Sequence, residues 1–560
     1  MRKYLYEISR KKLTVGSAAI ILSFTSLASN ILGLYRERII ASMFGTNYFA
    51  EIYGASFRLP DLIFNILILG ALSAAFIPIF IERLVEDEDK ESAWRLANSF
   101  LNLLLIVAVV GAILIAILAP YIVPLLVPGF KHKQVGVDMM QITVNTTRLL
   151  LLSPIFMCIS GVFSGILNSF KRFVAYSIAP LIYNLSIIIA AIFLAEGHQV
   201  PVYGLAVGVI IGAFFHAAIQ IPAVIDAGFK YRFILDLKDN GLRKIVRLMG
   251  PRTFTIGVTQ INLLVDTIKA SYLVGGIAIL NYANNIQTLP TVVFGIAIAT
   301  AAFPYLSEAL SSKRQEDFRK AFSWSFKRIL YFMIPASVGI IVLRAQIVRL
   351  IFGIGNFDWS STEPTAYVLG IFGFGLVAQG LLPLLTRTFY VLQDTKTPLK
   401  IAIIGMVINA LGTIFLPGLS LTLPQIIYNP SIGFYVLWYQ FTLGVGGIAL
   451  AFIAAGFVTM FMSYIVLHKR LGNLHDADII KDFVKILLAS IIMGIVAHYA
   501  LYLFDPLVQN SGGKIAKGLL PQTILSIILA VISYFSLTLV MKIGESREIL
   551  RKIQKVLAKS

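Results

Sequence analysis

The chain contains about fourteen apolar segments, each long enough to cross a lipid bilayer as a helix, and this pattern constrains the fold more than any other feature. A spanning helix needs about 20 apolar residues, because the hydrocarbon core is about 30 Å thick and each helical residue adds about 1.5 Å. The segments run approximately over residues 15–43, 50–81, 93–127, 138–167, 172–195, 202–225, 247–273, 277–309, 321–353, 363–391, 397–417, 440–467, 480–504 and 518–542. We therefore expect an all-α polytopic membrane protein.

Composition excludes the main alternatives. Of the 560 residues, 58% are hydrophobic and only 13% are charged, whereas soluble domains carry about 25% charged residues. Too few charges are present to coat several soluble domains, so a soluble enzyme and a disordered chain are excluded. Cys158 is the only cysteine, which excludes an intrachain disulfide scaffold. We attribute the net charge of +19 to membrane topology and expect no nucleic-acid partner.

The distribution of basic residues predicts the orientation. If the N-terminus is cytoplasmic, alternate loops hold almost every Lys/Arg cluster, as the positive-inside rule requires. These are residues 82–95, 171–172, 230–247, 311–320, 394–400, 469–485 and the tail 547–559. The opposite loops are nearly uncharged, with Lys131 and Lys133 as the main exceptions. We expect both termini in the cytoplasm, a first apolar segment that is retained as a span, and a short interfacial helix in the aromatic-rich outer loop Leu419–Gln440.

The two halves of the chain repeat each other. Ala41-Ser42, Leu59-Pro60 and Ala74-Ala75-Phe76 recur as Ala270-Ser271, Leu289-Pro290 and Ala301-Ala302-Phe303, at offsets of 229, 230 and 227 residues. Leu167, Lys171 and Asn184 recur as Leu392, Lys396 and Asn409, each at an offset of 225 residues. Six predicted helices separate the copies, and an even number preserves orientation. We predict two parallel six-helix lobes, 1–228 and 229–470, and a C-terminal region, 471–560, that holds helices 13 and 14. Transporters that are built from two repeated helix bundles bind their substrate between the two bundles.

The charged candidate site residues occur inside three predicted spans, where a charge costs about 3 kcal/mol or more unless it faces water or a partner. Helix 1 carries Arg36 and Glu37. A straight helix to Phe44 would be about 45 Å long, so we expect it to tilt strongly or to bend near Gly33. We favour a cavity position for Arg36, and snorkelling to the outer interface is the alternative.

Helix 2 carries Glu51, Arg58 and Asp61, with Pro60 between the last two. Arg58 and Asp61 are three residues apart and share a helix face. They form either a local ion pair beside a kink or a substrate and gating cluster. Glu51 lies near the outer end, where solvation is the simplest explanation.

Helix 7 carries Arg252 near its inner end and Asp266 deeper in the span. Asp266 matches Glu37 at the repeat offset of 229, and two equivalent acids suggest a gate or a site for a coupling cation, because oxygen ligands suit hard cations. Pairing of Asp266 with Lys269 remains the alternative, and Arg252 is either an anchor at the boundary or a functional group.

Motifs of catalysis are missing from the sequence. It has no Walker A loop, no nucleophile elbow and no HExxH, and its six histidines have no metal-ligand spacing. We expect a transporter rather than an enzyme, without a cofactor, driven by a sodium or proton gradient or by a partner.

Five stretches resemble one known family, the MurJ (MviN) lipid II flippases of the MOP exporter superfamily. They are Ser26–Phe80 with LASNILGLYRERIIASMFG and FRLPDLI, Ser164–Phe173, Pro251–Ser271, Asn281–Ser307 with NYANNIQTLPTVVFGIAIATAAFPYLS, and Leu392–Ala402. The resemblance covers predicted helices 1 to 12.

The resemblance implies a flippase that moves an undecaprenyl-diphosphate-linked peptidoglycan precursor, lipid II, from the inner to the outer leaflet of the bacterial plasma membrane by alternating access. It implies partners in lipid II, membrane lipids and the cell-wall synthesis machinery, and a central cationic cavity between the lobes. By the resemblance, Arg36 and Arg58 match basic positions of the family, and Asp266 and Asn409 match its cation-binding pattern, to which Thr413 also belongs by position. Our leading hypothesis adds Arg252 to the substrate-binding residues Arg36 and Arg58. It assigns gating by exchange of ion-pair partners to Glu37, Glu51 and Asp61.

The sequence also departs from the family pattern. Asn30, Phe64 and Asn285 stand where many relatives carry Arg, and Thr413 replaces an acid. We therefore expect a less cationic cavity and a weaker or absent sodium site. Two other functions stay open: a MOP-type exporter of drugs or polyprenol-linked polysaccharide, and a membrane scaffold without transport.

Overall fold

The structure is a computed structural model that describes residues 15–69, 76–86, 90–429, 433–512 and 514–557. The chain forms two compact units, Met1–Ala278 and Ile279–Ser560. Both are helical apart from one hairpin in the second unit, which confirms the predicted all-α class. The repeat-based lobe boundaries concern sequence similarity rather than compactness, and they stay predictions.

The first unit contains eleven α-helices within its described residues. They are α1 Val15–Phe44, α2 Tyr48–Ser56, α3 Arg58–Phe64, α4 Ile77–Ile81, α5 Lys90–Leu126, α6 Met139–Leu150, α7 Ser153–Ser169, α8 Phe173–Ala190, α9 Pro201–Ala218, α10 Ile221–Asp226 and α11 Asn240–Ala270. Its core includes the fully buried rings of Phe76, Phe80 and Phe100, with the centroids of Phe76 and Phe100 stacked 4.9 Å apart.

The second unit contains the remaining α-helices of the described chain and the hairpin. They are α12 Gly276–Pro290, which begins at the boundary, α13 Ala297–Ser311, α14 Gln315–Phe352, α15 Trp359–Val391, α16 Lys396–Phe415, β1 Ser420–Asn429, β2 Gly433–Thr442, α17 Val445–Leu471, α18 Asp476–Leu503, α19 Asp505–Asn510, α20 Leu520–Val540 and α21 Gly544–Leu557. Phe352 and Phe357 are buried in its core.

Among the described residues, eleven helical stretches are long and apolar enough to cross a membrane, judged by length and composition. They correspond to eleven of the about fourteen predicted segments. The other three, 15–43, 50–81 and 247–273, are those that carry the charged candidate site residues. The chain is therefore a multi-span membrane protein.

The second predicted span is broken rather than continuous. Helix α2 ends at Ser56, and α3 begins two residues later at Arg58. Pro60 has no backbone N–H to donate to the carbonyl four residues earlier, which favours a kink or a break at this point; α5 and α14, by contrast, continue through Pro120 and Pro335. The break places Arg58 at the start of a new helix. Helix α1, by contrast, runs unbroken through Gly33.

The loops predicted to be cytoplasmic meet at one end of the first unit. Arg83 pairs with Asp239 at 2.8 Å, and the next loop joins them where Arg172 pairs with Asp226 at 2.7 Å. Loops of like predicted side therefore contact each other, as alternate spans require.

The second unit shows the same arrangement. Arg470 pairs with Asp394 at 2.5 Å, and Arg319 Nε donates to the Leu471 carbonyl at 2.8 Å. Three predicted cytoplasmic loops are thus gathered at one end of this unit. The pairing supports the alternation of loops and leaves the absolute orientation as a prediction.

The Arg83–Asp239 pair predicts an acid-dependent loss of stability. Burial opposes ionisation of Asp239, but hydrogen bonds from the Arg83 side chain and the Leu242 N–H outweigh it and hold the pKa of Asp239 below its ordinary value. A lowered folded pKa adds stability above the unfolded pKa of about 3.9, and this stability is lost as the pH falls through the folded pKa.

We expect Asp239→Asn to lower the unfolding free energy by about 2 kcal/mol at pH 7, with the difference shrinking below about pH 4. Denaturant unfolding of both proteins between pH 3 and pH 7 measures this. A difference that stays constant over that range would contradict the role assigned to the ionised carboxylate.

The aromatic-rich outer loop is a β-hairpin, so the predicted interfacial helix is wrong. Strands β1 and β2 pair antiparallel, with Ser420 opposite Thr442 and Asn429 opposite Gly433. The Leu443 N–H also donates to the Leu419 carbonyl at 3.0 Å, which extends the pairing. β-branched and aromatic residues favour strands, a preference that the prediction of an interfacial helix did not take into account.

Candidate functional site

The first charged candidate is held by a neighbouring helix. The Arg36 Nη1 donates to Asn184 Oδ1 of α8 at 2.9 Å, and Nε and Nη2 donate to Glu37 Oε1 at 3.2 and 2.5 Å. Asn184 Nδ2 in turn donates to the Ser29 carbonyl of α1 at 3.3 Å. Asn184 therefore clamps α1 at two places and directs Arg36 towards α8.

Gly33 lies between these two contacts. A Cβ on Gly33 would meet the Asn184 side chain at 3.7 Å, an ordinary van der Waals distance. Its position on α1 thus faces Asn184 directly. The Arg36 side chain remains 23% exposed, so the guanidinium is partly buried but still accessible from one side.

The second charged candidate is held by α11. Arg58 Nε donates to Thr267 Oγ1 at 2.8 Å, and Thr267 is only 2% exposed. The carboxylates of Asp61 and Asp266 lie close enough to interact electrostatically with Arg58. The break after Ser56 and the hydroxyl of Thr267 together position this guanidinium.

The two arginines belong to one electrostatic cluster in the first unit. Asp61 interacts with Arg58 and also with Arg36, and the Tyr53 and Tyr183 rings lie near Arg36. We call the set Arg36, Glu37, Arg58, Asp61 and Asp266 the charged cluster. Three carboxylates share two guanidinium groups in it, so an added anion must compete with carboxylates.

Glu51 lies apart from the charged cluster and is not solvated. It is 2% exposed and pairs with Lys133 Nζ at 2.8 and 2.7 Å. Lys133 also donates to the Leu273 carbonyl at 2.8 Å, just after α11. The expectation that solvent accounts for Glu51 is therefore wrong, because a lysine from the predicted outer loop reaches it.

The cation-binding candidates fall in both units. Asp266 belongs to the first unit, whereas Asn409 and Thr413 lie one turn apart on α16 in the second unit. Asn409 is 1% exposed and Thr413 is fully buried. Carboxylate, amide and hydroxyl oxygens are the donors that a hard cation prefers, so each of these residues carries a suitable type of oxygen within its own unit.

The remaining candidate residues form no described contact with the charged cluster. Arg252 lies in α11, but its side chain is outside the described residues. Asn30 is exposed on α1, and Phe64 closes α3. No group of three His, Cys, Asp or Glu in the described ranges forms a candidate metal site.

Three residues that hold the charged candidates are not predicted as site residues from the sequence: Asn184, Lys133 and Thr267. In the sequence Asn184 marks the repeat and Lys133 departs from the charge pattern, whereas Thr267 has no distinguishing feature. The signal for the first was its match with Asn409 at the 225-residue offset. No sequence signal identifies Thr267, because its partner is 209 residues away.

Comparison with known proteins places the chain in a family. The model of the family "Lipid II flippase MurJ" matches residues 40–516. The probable lipid II flippase MurJ of Haemophilus influenzae is 30% identical over 85% of this chain and 90% of its own length. That of Rhizobium tropici is 27% identical over 94% of this chain and 93% of its own length.

Solved structures show the same fold. "Lipid II flippase MurJ, inward closed conformation" matches with a TM-score of 0.71 at 23% identity, covering 93% of this chain and 99% of the other. An inward-facing multidrug resistance MATE family transporter of the MOP superfamily matches with a TM-score of 0.62 at 15% identity, covering 82% and 99%. The family model and the 30% identical relative together show that this chain belongs to the MurJ family of lipid II flippases.

Proposed function

We propose that the protein moves lipid II from the inner to the outer leaflet of a bacterial plasma membrane by alternating access. The observation that carries the proposal is the pair Arg36 and Arg58, kept within the spanning part of a chain of this family. A charge in a span costs about 3 kcal/mol or more, so two arginines kept there need a use. An anionic diphosphate supplies that use.

Arginine suits this ligand chemically. A guanidinium presents paired N–H donors that match two oxygens of a phosphate, and such bonds are roughly twice as strong as neutral ones. Arg36 and Arg58 are each fixed by a neutral partner, Asn184 and Thr267, at 2.9 and 2.8 Å. These partners hold the side chains in place without neutralising them.

The carboxylates give the site its gate. Glu37 and Asp61 already interact with Arg36, so a diphosphate binds as these acids release the guanidinium. Release of the lipid allows them to pair again. Exchange of ion-pair partners thus couples substrate occupancy to the arrangement of α1 and α3. Glu51 and Lys133 form a second pair of this kind at the predicted outer end, and Arg252 completes the proposed binding set at the inner end.

We further propose sodium as the coupling ion; proton coupling is the alternative. Asp266 is the candidate ligand in the first unit, and Asn409 and Thr413 are the candidate ligands in the second unit. Sodium is expected to raise the melting temperature of the purified protein, since an ion that binds only the folded state stabilises it. Asp266→Asn should abolish that rise while potassium has no effect on either protein. An equal sodium-dependent rise in the variant would remove Asp266 from the site.

The proposed transport also specifies the location and the partners of the protein. We place the spans in the bacterial plasma membrane, with the basic loops and both termini in the cytoplasm. Lipid II is the transported partner, membrane lipids surround the spans, and the cell-wall synthesis machinery supplies and consumes the precursor.

The proposal is tested by rescue of a conditional flippase-null cell, together with an assay of precursor accessibility at the outer leaflet. We expect growth and exposure of lipid II outside. Growth without lipid II exposure would favour the scaffold. Failure of both, combined with export of cationic dyes, would favour a drug exporter of the same superfamily.

A further inference from the structure

A segment that joins α10 to α11 is fixed to α5 by buried polar side chains. Residues 229–237, here called the strap, contain no helix or strand. Asn98 Oδ1 accepts from the Arg232 N–H at 2.8 Å, and Asn102 Nδ2 donates to the Arg232 and Ile234 carbonyls at 3.0 and 2.9 Å. Asn98 and Asn102 are each 1% exposed. The hydrogen bonds of these two buried asparagines therefore fix the register of the strap on α5.

This register exposes a row of large apolar side chains. Tyr231, Phe233, Leu235 and Leu237 are 58%, 74%, 38% and 56% exposed. Phe229, at the start of the strap, is buried against the Trp94 ring at a centroid distance of 5.9 Å. Phe229 is thus held inside, and the Tyr231 hydroxyl donates to Asn102 Oδ1 at 3.1 Å, which ties this partly exposed ring to α5. Phe233, Leu235 and Leu237 leave apolar surface exposed, where contact with water is unfavourable.

The strap also borders a basic cleft of about 350 Å³. Four basic side chains and one carboxylate line it: Lys90, Arg95, Lys230, Arg232 and Glu91. Trp94 also lines the cleft.

The carboxylates near the cleft form only weak ion pairs with its basic side chains. Arg232 lies 3.8 Å from Glu91, with side chains 61% and 79% exposed. Arg95 lies 3.8 Å from Asp236, with side chains 58% and 40% exposed. Such long, exposed ion pairs contribute little to stability. A phosphate entering the cleft therefore displaces them at small cost.

We propose that the strap and the basic cleft form a binding site for an anionic phospholipid, distinct from the transport site. The phosphate lies among Lys230, Arg232 and Arg95, and the glycerol and upper acyl chains lie along Tyr231 and Phe233. Basic pockets at the ends of spans suit anionic head groups, and aromatic side chains suit the membrane interface.

Charge complementarity and the apolar row together select a lipid. A soluble phosphate would use the cleft but leave the row in water, whereas a neutral lipid would cover the row but leave the cleft unneutralised. Only a ligand with both an anionic head and apolar chains satisfies both parts.

The test uses the full-length protein in detergent with phosphatidylglycerol, phosphatidylcholine or glycerol phosphate. We expect phosphatidylglycerol alone to raise the melting temperature saturably. Lys230→Glu/Arg232→Glu should weaken that binding by about tenfold or more, because each basic residue near an anionic lipid surface contributes about 1 kcal/mol. The matched control Arg314→Glu/Lys320→Glu makes the same charge changes at exposed positions at the start of α14. This control should bind phosphatidylglycerol like the wild type.

A second measurement locates the lipid. In a variant in which Trp324, Trp359 and Trp438 are replaced by Phe, the fluorescence of Trp94 should be quenched by phosphatidylglycerol with brominated chains, and less by the phosphatidylcholine analogue. Three outcomes would each overturn the proposal. The first is equal quenching or an equal rise in melting temperature with both lipids, and the second is an equal loss of phosphatidylglycerol binding in the strap variant and its control. The third is a rise in melting temperature with glycerol phosphate equal to that with phosphatidylglycerol. Lipid II transport is independent of these outcomes, because no residue of the charged cluster is altered.

Discussion

Arg36→Ala is expected to abolish rescue of a flippase-depleted cell while the protein still reaches the membrane. The change removes the donors that would hold the diphosphate, and charge-assisted hydrogen bonds are worth about 1.5–3 kcal/mol each. Loss of two such bonds lowers substrate affinity by about two to four orders of magnitude. Colony formation after depletion and the amount of protein in the membrane fraction are the measurements.

The control is Arg148→Ala. Arg148 is an exposed arginine on α6 that donates to the Ala116 carbonyl at 2.9 Å, and it lies outside the charged cluster. We expect this variant to rescue growth fully. Arg36→Lys should rescue poorly, because an ammonium keeps the charge but loses the paired donors. Full rescue by Arg36→Ala would remove Arg36 from the binding site.

Glu51→Leu is expected to cause the largest loss of stability of any single change considered. It leaves the Lys133 ammonium, 13% exposed, without its carboxylate. Breaking a buried pair from one side costs about 3–5 kcal/mol, because the remaining charge is desolvated without compensation. The unfolding free energy in mixed micelles, from denaturant midpoints, measures the effect.

The double variant Glu51→Leu/Lys133→Met supplies the control. Replacing both members of a buried pair by apolar residues is often close to neutral, so most of the lost stability should return. The Leu273 carbonyl still loses one donor, so recovery should be incomplete. A double variant as unstable as Glu51→Leu alone would show that the loss arises from packing rather than from the charge.

The membrane class and the position of the charged residues were predictable because they depend on local properties of the chain. Long apolar runs must be helical in lipid, since every backbone polar group needs an internal partner. The break beside Pro60 follows from the chemistry of one residue. The sequence accordingly predicts Arg58 beside a kink.

The partners of those charges were not predictable. Lys133 and Glu51 are 82 residues apart, and Arg36 and Asn184 are 148 residues apart. Nothing in the spacing of either pair indicates contact, because spans far apart in sequence become neighbours only through packing. For the same reason the sequence favoured solvent around Glu51, whereas a lysine lies there.

The hairpin Ser420–Thr442 was wrongly predicted as a helix for a different reason. Its aromatic and β-branched residues suit the membrane interface in either conformation, so composition placed the segment but did not select its backbone. Strand pairing between Leu421 and Phe441 decides it, because each strand satisfies the backbone hydrogen bonds of the other.

By itself the sequence determined that this chain spans a membrane many times, that its basic loops alternate and that three spans carry the charged candidate site residues, because hydropathy and charge act residue by residue. Tertiary structure alone decided that Asn184 and Thr267 hold the two arginines and that Lys133 reaches Glu51. A buried charge takes whichever partner folding brings within about 3 Å, and that distance is fixed by packing between helices rather than by order along the chain.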